Sequence, residues 1–252
     1  MHQQRGRLTP RRITNLRTFE AALWRVVEPY AIQLMDEHRA RRSAAQRHEA
    51  QQLPPKAPRR DDVLLHRIFL SHREIAESFS TLNRIPVYLR HFPSSLPRRS
   101  SRLAWVRYHV ENYFHELYVF QNRSEAFFKQ LLRAYRKQAY ALSLEERCNK
   151  LEKALKDGLA GAVTARGRHV HDRRFDDNSL RMLELIELLV EGGGRPRRDR
   201  TLFFEDAQME KRFWMKHNNA EIKKWLDEYG LVLGGLLFMP DGRFRFPVPS
   251  RH

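Results

Sequence analysis

Residues 101–139 read SRLAWVRYHVENYFHELYVFQNRSEAFFKQLLRAYRKQA, a stretch with neither proline nor glycine. Within it Leu103, Val106, Val110, Phe114, Leu117, Phe120, Phe127, Leu131 and Tyr135 recur at helical spacing, which predicts one long central helix with a single apolar stripe. An aromatic-rich stripe at this period is what burial requires, so its rings belong to a core rather than to a base-stacking surface. Such a helix needs other helices to cover it. The fold class expected is therefore mostly α, an antiparallel helical bundle around a core spanning 101–191.

The flanking sequence supports this. Leu144–Thr164 continues as a second long helix, and Asn178–Glu191 as a third, dense in leucine and ended by Gly192-Gly193-Gly194-Arg195-Pro196. Glu205–Tyr229 reads as a charged helix carrying Phe213, Trp214 and Trp225, with Gly230 as its expected C-cap. Beyond it, the apolar run Leu231–Met239, the turn residues Pro240-Asp241-Gly242 and the segment Arg243–Val248 predict a small C-terminal β-hairpin.

On the amino-terminal side, Leu16, Phe19, Leu23, Val27, Tyr30 and Leu34 step by three and four behind Thr14, the expected N-cap, with a kink expected at Pro29. Leu53-Pro54-Pro55-Lys56-Ala57-Pro58 reads as a linker. Asp61 and Asp62 stand where acids favour a helix start, ahead of a buried helix Val63–Leu82, and the three prolines of Ile85–Pro97 imply irregular chain. Three regions are expected: a basic N-terminal helical segment with its linker (1–60), a helical domain (61–200), and a C-terminal helix with the hairpin (201–252).

Charge narrows the function. The 252 residues carry a net charge of +17, and 37 of the 47 basic residues are arginine. Residues 1–60 hold 13 basic against 5 acidic groups and 61–140 hold 13 against 7, whereas 141–252 is nearly balanced. Arginine's planar fork suits bidentate phosphate contacts, so a polyanion is expected, nucleic acid first. No apolar run reaches membrane-span length, which predicts no membrane partner. The lone Cys148 forms no internal disulfide, in keeping with a reducing compartment, and a cytoplasmic location is expected. Neither a Gly-x-Ser-x-Gly elbow nor a Gly-x-x-x-x-Gly-Lys phosphate loop occurs, which argues against those hydrolase and nucleotidase classes.

Polar chemistry concentrates in Thr164-Ala165-Arg166-Gly167-Arg168-His169-Val170-His171-Asp172-Arg173-Arg174-Phe175-Asp176-Asp177. A metal site is not expected there: His169 and His171, two apart, point to nearly opposite sides of a helix, and paired zinc-type cysteines are absent. Arg166 and His171 remain as a pair. Arg67/His72 and Arg212/His217 share their spacing, but only Arg166/His171 has an apolar residue, Val170, directly before the histidine and an apolar helix soon after.

This segment resembles the Arg-x4–6-His motif of the HEPN superfamily, and the resemblance covers about residues 100–191. It implies a compact helical domain and, for many members, a metal-independent ribonuclease in toxin or defence systems, with an antitoxin protein as a partner. Arg166 and His171 would be the catalytic pair, and Arg168, Arg173 and Arg174 would contact the RNA backbone; no cofactor is implied. The resemblance also implies a homodimer that builds one cleft from two chains. Where the family often has Asn, Asp or His after the arginine, Gly167 stands here. A non-catalytic helical protein that binds nucleic acid or a protein partner is the alternative. A DNA-binding regulator reading through Phe213–Tyr229 is a third, and the acids and tryptophans of that helix speak for packing instead. Glu111 and His115, one turn apart, share a side of the central helix.

Overall fold

The computed structural model describes residues 13–46, 60–93, 101–171, 175, 177–193 and 197–247, and leaves the side chains of 44–46, 60, 163, 165–171 and 197–198 undescribed. The proline cluster of residues 54–58 lies outside the described residues. Among those described, six helices account for most of the chain: α1 Leu16–Gln46, α2 Arg60–Arg90, α3 Arg102–Tyr135, α4 Ala141–His171, α5 Asn178–Glu191 and α6 Arg197–Leu237. The mostly α class and the long central helix are thus borne out, and the stripe from Leu103 to Tyr135 is buried along its whole length.

The helices contribute to two compact units interleaved in sequence. The first gathers the described residues of Met1–Arg73, Phe127–Leu151 and Trp225–His252; the second gathers Glu74–Ala126 and Glu152–Lys224.

In the first unit α1 runs antiparallel to α2, pairing Glu20 with His72, Trp24 with Phe69 and Tyr30 with His66. Tyr229 sits fully buried at the centre, ringed by Phe19, His72, Phe127, Phe128 and Trp225. The cap of α1 is Asn15 rather than Thr14. Thr18 N–H donates to Asn15 Oδ1 at 3.0 Å and Asn15 N–H donates to Thr18 Oγ1 at 3.0 Å, a reciprocal closure that satisfies two end groups.

The carboxy-terminal expectation is corrected here. Gly230 does not end α6, which continues to Leu237, and Phe238 and Phe244 make one isolated antiparallel bridge in place of two strands. The turn itself falls where expected, closed by Met239 N–H to Arg243 O and Arg245 N–H to Leu237 O, both 2.8 Å. Burial explains the helix: Leu226, Tyr229, Leu233 and Leu237 are buried at steps of three and four, whereas a strand would have alternated. The glycines are used for closeness. A Cβ at Gly230 would lie 2.6 Å from the Leu16 backbone, and one at Gly234 would meet the Ile13 side chain.

In the second unit α2 and α6 are antiparallel, with α6 side chains reaching the carbonyls that end α2. Gln208 Nε2 donates to Leu89 O at 2.7 Å, and Arg212 Nε donates to Pro86 O at 3.2 Å. The irregular chain expected over Ile85–Pro97 is helix through Arg90. Proline at 86 removes the N–H that Leu82 O would accept, and the Asn219 side chain supplies the missing donor at 3.0 Å. At the start of α3, Glu187 of α5 accepts from Arg102 N–H at 2.8 Å and Leu103 N–H at 3.2 Å, a carboxylate placed on the positive end of a helix. Arg200 pairs with the same carboxylate at 3.6 Å.

Candidate functional site

Within the second unit α3, α4, α6 and the chain leaving α4 enclose a pocket of about 630 Å³. Val110 and Phe114 of α3 and Leu159 of α4 form its apolar floor. Phe175 lies against Phe114 with ring centroids 5.0 Å apart and planes tilted by 58°, and Trp214 lies against Phe114 at 5.3 Å and 59°, so the three rings form an angled aromatic cluster. Phe213, also lining the pocket, is 76% exposed.

Gly158 and Gly161 complete the α4 wall. Glycine inside a helix costs roughly 1 kcal/mol against alanine. A Cβ at either position would meet nothing within 4 Å, so close packing is not why these residues are small; what they leave is room.

The polar part of the pocket centres on Lys211, which is 5% exposed and whose ammonium lies between the carboxylates of Asp177 and Glu210, the latter at 2.6 Å. Asp177 also caps α5, accepting from Leu180 N–H at 3.1 Å and from Ser179 Oγ at 2.9 Å. Burial alone would raise its pKa, but the bonds from Lys211, Leu180 and Ser179 outweigh that and hold the carboxyl below its ordinary range. Arg107 donates to Phe175 O at 3.1 Å and pairs with Glu184 at 3.6 Å. Lys211 and Arg107 thereby hold Asp177 and Phe175 in place. His217, exposed, and Asn218 close the rim.

The sequence-predicted residues fall next to this pocket in the chain. Positions 166, 168 and 171 belong to the final turns of α4, and Ala162 before them and Phe175 and Asp177 after them line the pocket. At about 100° per residue, helical register sets positions 166 and 171 about 140° apart around α4. The side chains of Arg166, Arg168 and His171, and all of Arg173 and Arg174, lie outside the described residues.

The other two Arg/His pairs have visible roles. His72 is buried, with Nδ1 3.1 Å from the Tyr229 hydroxyl and Nε2 3.2 Å from Glu20, which is a core hydrogen-bond chain. Arg212 serves the end of α2, while His217 faces the pocket. His115 is exposed and Glu111 half-buried. His109 of α3 is buried with neither ring nitrogen partnered among the described residues, and burial pushes its pKa down to about 4. No group of three or more His, Cys, Asp or Glu among the described residues could hold a metal ion. Among the described residues no helix is long and apolar enough to cross a membrane.

No family model matches the chain, and neither a curated protein nor a solved structure matches it.

Sequence reasoning missed Lys211, Glu210, Phe213, Trp214 and the two α4 glycines. Two signals were present: glycines at 158 and 161 inside an otherwise strong helical pattern, and adjacent aromatics at 213 and 214 beside a charged pair at 210 and 211.

Proposed function

We propose that this chain is a HEPN-like homodimer that binds RNA and cuts it without a metal, with Arg166 and His171 as the catalytic pair. The observation that carries the reading is the bracketing of the motif: the segment from 163 to 174 leaves one wall of the pocket at Ala162 and returns to another at Phe175. An arginine-rich segment next in sequence to an aromatic pocket is the combination that single-stranded RNA needs.

In the proposed reaction a ribose 2′-hydroxyl attacks the neighbouring phosphorus. His171 takes its proton, Arg166 offsets the charge growing on the phosphoryl oxygens, and the 5′-oxygen leaves with a proton from a second acid. The products are a 2′,3′-cyclic phosphate and a 5′-hydroxyl. One histidine cannot remove and donate a proton in the same step, so His171 of a second chain is the natural acid. That requirement, and the separation of positions 166 and 171 around α4, both call for two chains. α5 offers a surface for one: Met182, Leu185, Leu188 and Leu189 are each between 44% and 58% exposed. Arg168, Arg173 and Arg174 then serve the RNA backbone.

A second reading, a helical protein that holds nucleic acid without turnover, is favoured by the same register if each chain works alone. Cleavage of a mixed RNA pool in EDTA separates them. Wild type should cut while His171→Ala and Arg166→Ala, taken from the same dimer peak, bind but do not cut. Equal inactivity of all three would remove the catalytic reading.

A further inference from the structure

We infer that the pocket of the second unit is a nucleobase subsite, built to take guanine from a single-stranded RNA. This rests on the RNA reading above and adds which part of the RNA enters and which base is preferred.

Shape comes first. The pocket, about 630 Å³, has room for a purine, and beside the buried Phe114 it is lined by Phe175, Trp214 and the exposed Phe213. A flat heterocycle is the ligand that uses an aromatic lining, since stacking on an aromatic face contributes about 1–3 kcal/mol per base. Gly158 and Gly161 leave their part of the α4 wall without side chains.

Charge then decides which end of a nucleotide enters. The ammonium of Lys211 is already shared by Asp177 and Glu210, so the polar cluster carries two carboxylates to one cation. A phosphate would meet net negative charge there and is better placed outside. A base edge rich in donors is favoured inside. Glu210 has a side chain 60% exposed and accepts one bond from Lys211, leaving its carboxylate accessible to a ligand. Guanine alone among the four bases offers two adjacent donors, N1–H and the 2-amino group, in the spacing of a carboxylate's two oxygens. Adenine and cytosine each pair one donor with an acceptor, and uracil places its single N–H between two carbonyls.

The test uses the full-length His171→Ala protein, so that RNA is bound but not consumed, with fluorescein-labelled U-only oligonucleotides and the same oligonucleotides carrying one central guanosine. By anisotropy, the guanosine should tighten binding roughly tenfold, the lower part of the range for a bidentate base contact. Introducing Gly161→Leu, which fills the pocket, or Glu210→Gln, which removes an acceptor, should each abolish that difference, with each variant's U-only affinity as its own baseline. Glu210 is at the rim, so Glu210→Gln keeps the test decisive if Gly161→Leu fails to fold. Binding of both oligonucleotides with no guanosine preference, or a preference that survives in both variants, overturns the subsite and leaves the RNA reading standing. No binding of either oligonucleotide overturns both.

Discussion

Replacing Asn219 with leucine tests how α2 passes through a proline. Asn219 is buried, donates to Leu82 O at 3.0 Å and accepts from the Tyr113 hydroxyl at 2.7 Å. Leucine has the same branched arrangement of side-chain heavy atoms and neither group. Leu82 O then faces Pro86, which has no N–H to offer, and is left unsatisfied at a cost of about 1–3 kcal/mol. Tyr113 loses less, because its hydroxyl still reaches Met215 O at 3.1 Å. A total near 2 kcal/mol is expected from urea unfolding followed by circular dichroism. In a Pro86→Ala background the backbone N–H returns in register with Leu82 O, and Asn219→Leu should cost only about 1 kcal/mol. The double-mutant cycle should therefore give a coupling of about 1 kcal/mol. Additivity to within about 0.3–0.5 kcal/mol, the behaviour of independent sites, would refute the claim that Asn219 stands in for the missing donor.

Three further outcomes are expected. His109 is held neutral by burial, with its pKa pushed down from 6.5 to about 4, so the unfolded chain takes up a proton first as pH falls. Stability is untouched at neutral pH and declines between pH 6.5 and 4 by up to about 3 kcal/mol; His109→Phe should flatten that decline, and matching urea midpoints against pH in both proteins would count against it. Two glycines of similar helical setting should respond with opposite signs. Gly158→Ala, entering open space, should raise stability by about 0.5–1 kcal/mol, while Gly230→Ala, whose Cβ would lie 2.6 Å from the Leu16 backbone, should lower it by about 2 kcal/mol or more in thermal melts. Lys211→Met should destabilise by about 1–3 kcal/mol, because it strips Asp177 of its cation while the α5 cap remains; an unchanged urea midpoint would show that the buried ammonium does nothing for the fold.

The helices legible in the sequence are those whose evidence is local. The stripe from Leu103 to Tyr135 and the leucine-dense run ended by Gly192 each carry their own period and stop signal. What escaped was settled by distant residues. Pro86 signals a helix end until Asn219 supplies a donor, and Gly230 signals a cap until Leu16 occupies the space a side chain would need. The apolar run 231–237 fits a strand or a helix equally well, and burial of Leu233 and Leu237 on one side decides it. At the site, the Arg166–Asp177 segment stood out by composition, but the pocket beside it did not. Its walls come from three helices and its buried Lys211 is recognisable only once Asp177 is brought to it.

The most direct test of the central claim is the chemistry of the cut ends. RNA incubated with the wild-type protein in EDTA should be cleaved to fragments bearing 2′,3′-cyclic phosphates and 5′-hydroxyls, read by mass spectrometry, and His171→Ala should yield none. Fragments bearing 3′-hydroxyls and 5′-phosphates, or no cleavage by the wild-type protein, would contradict an Arg166/His171 ribonuclease.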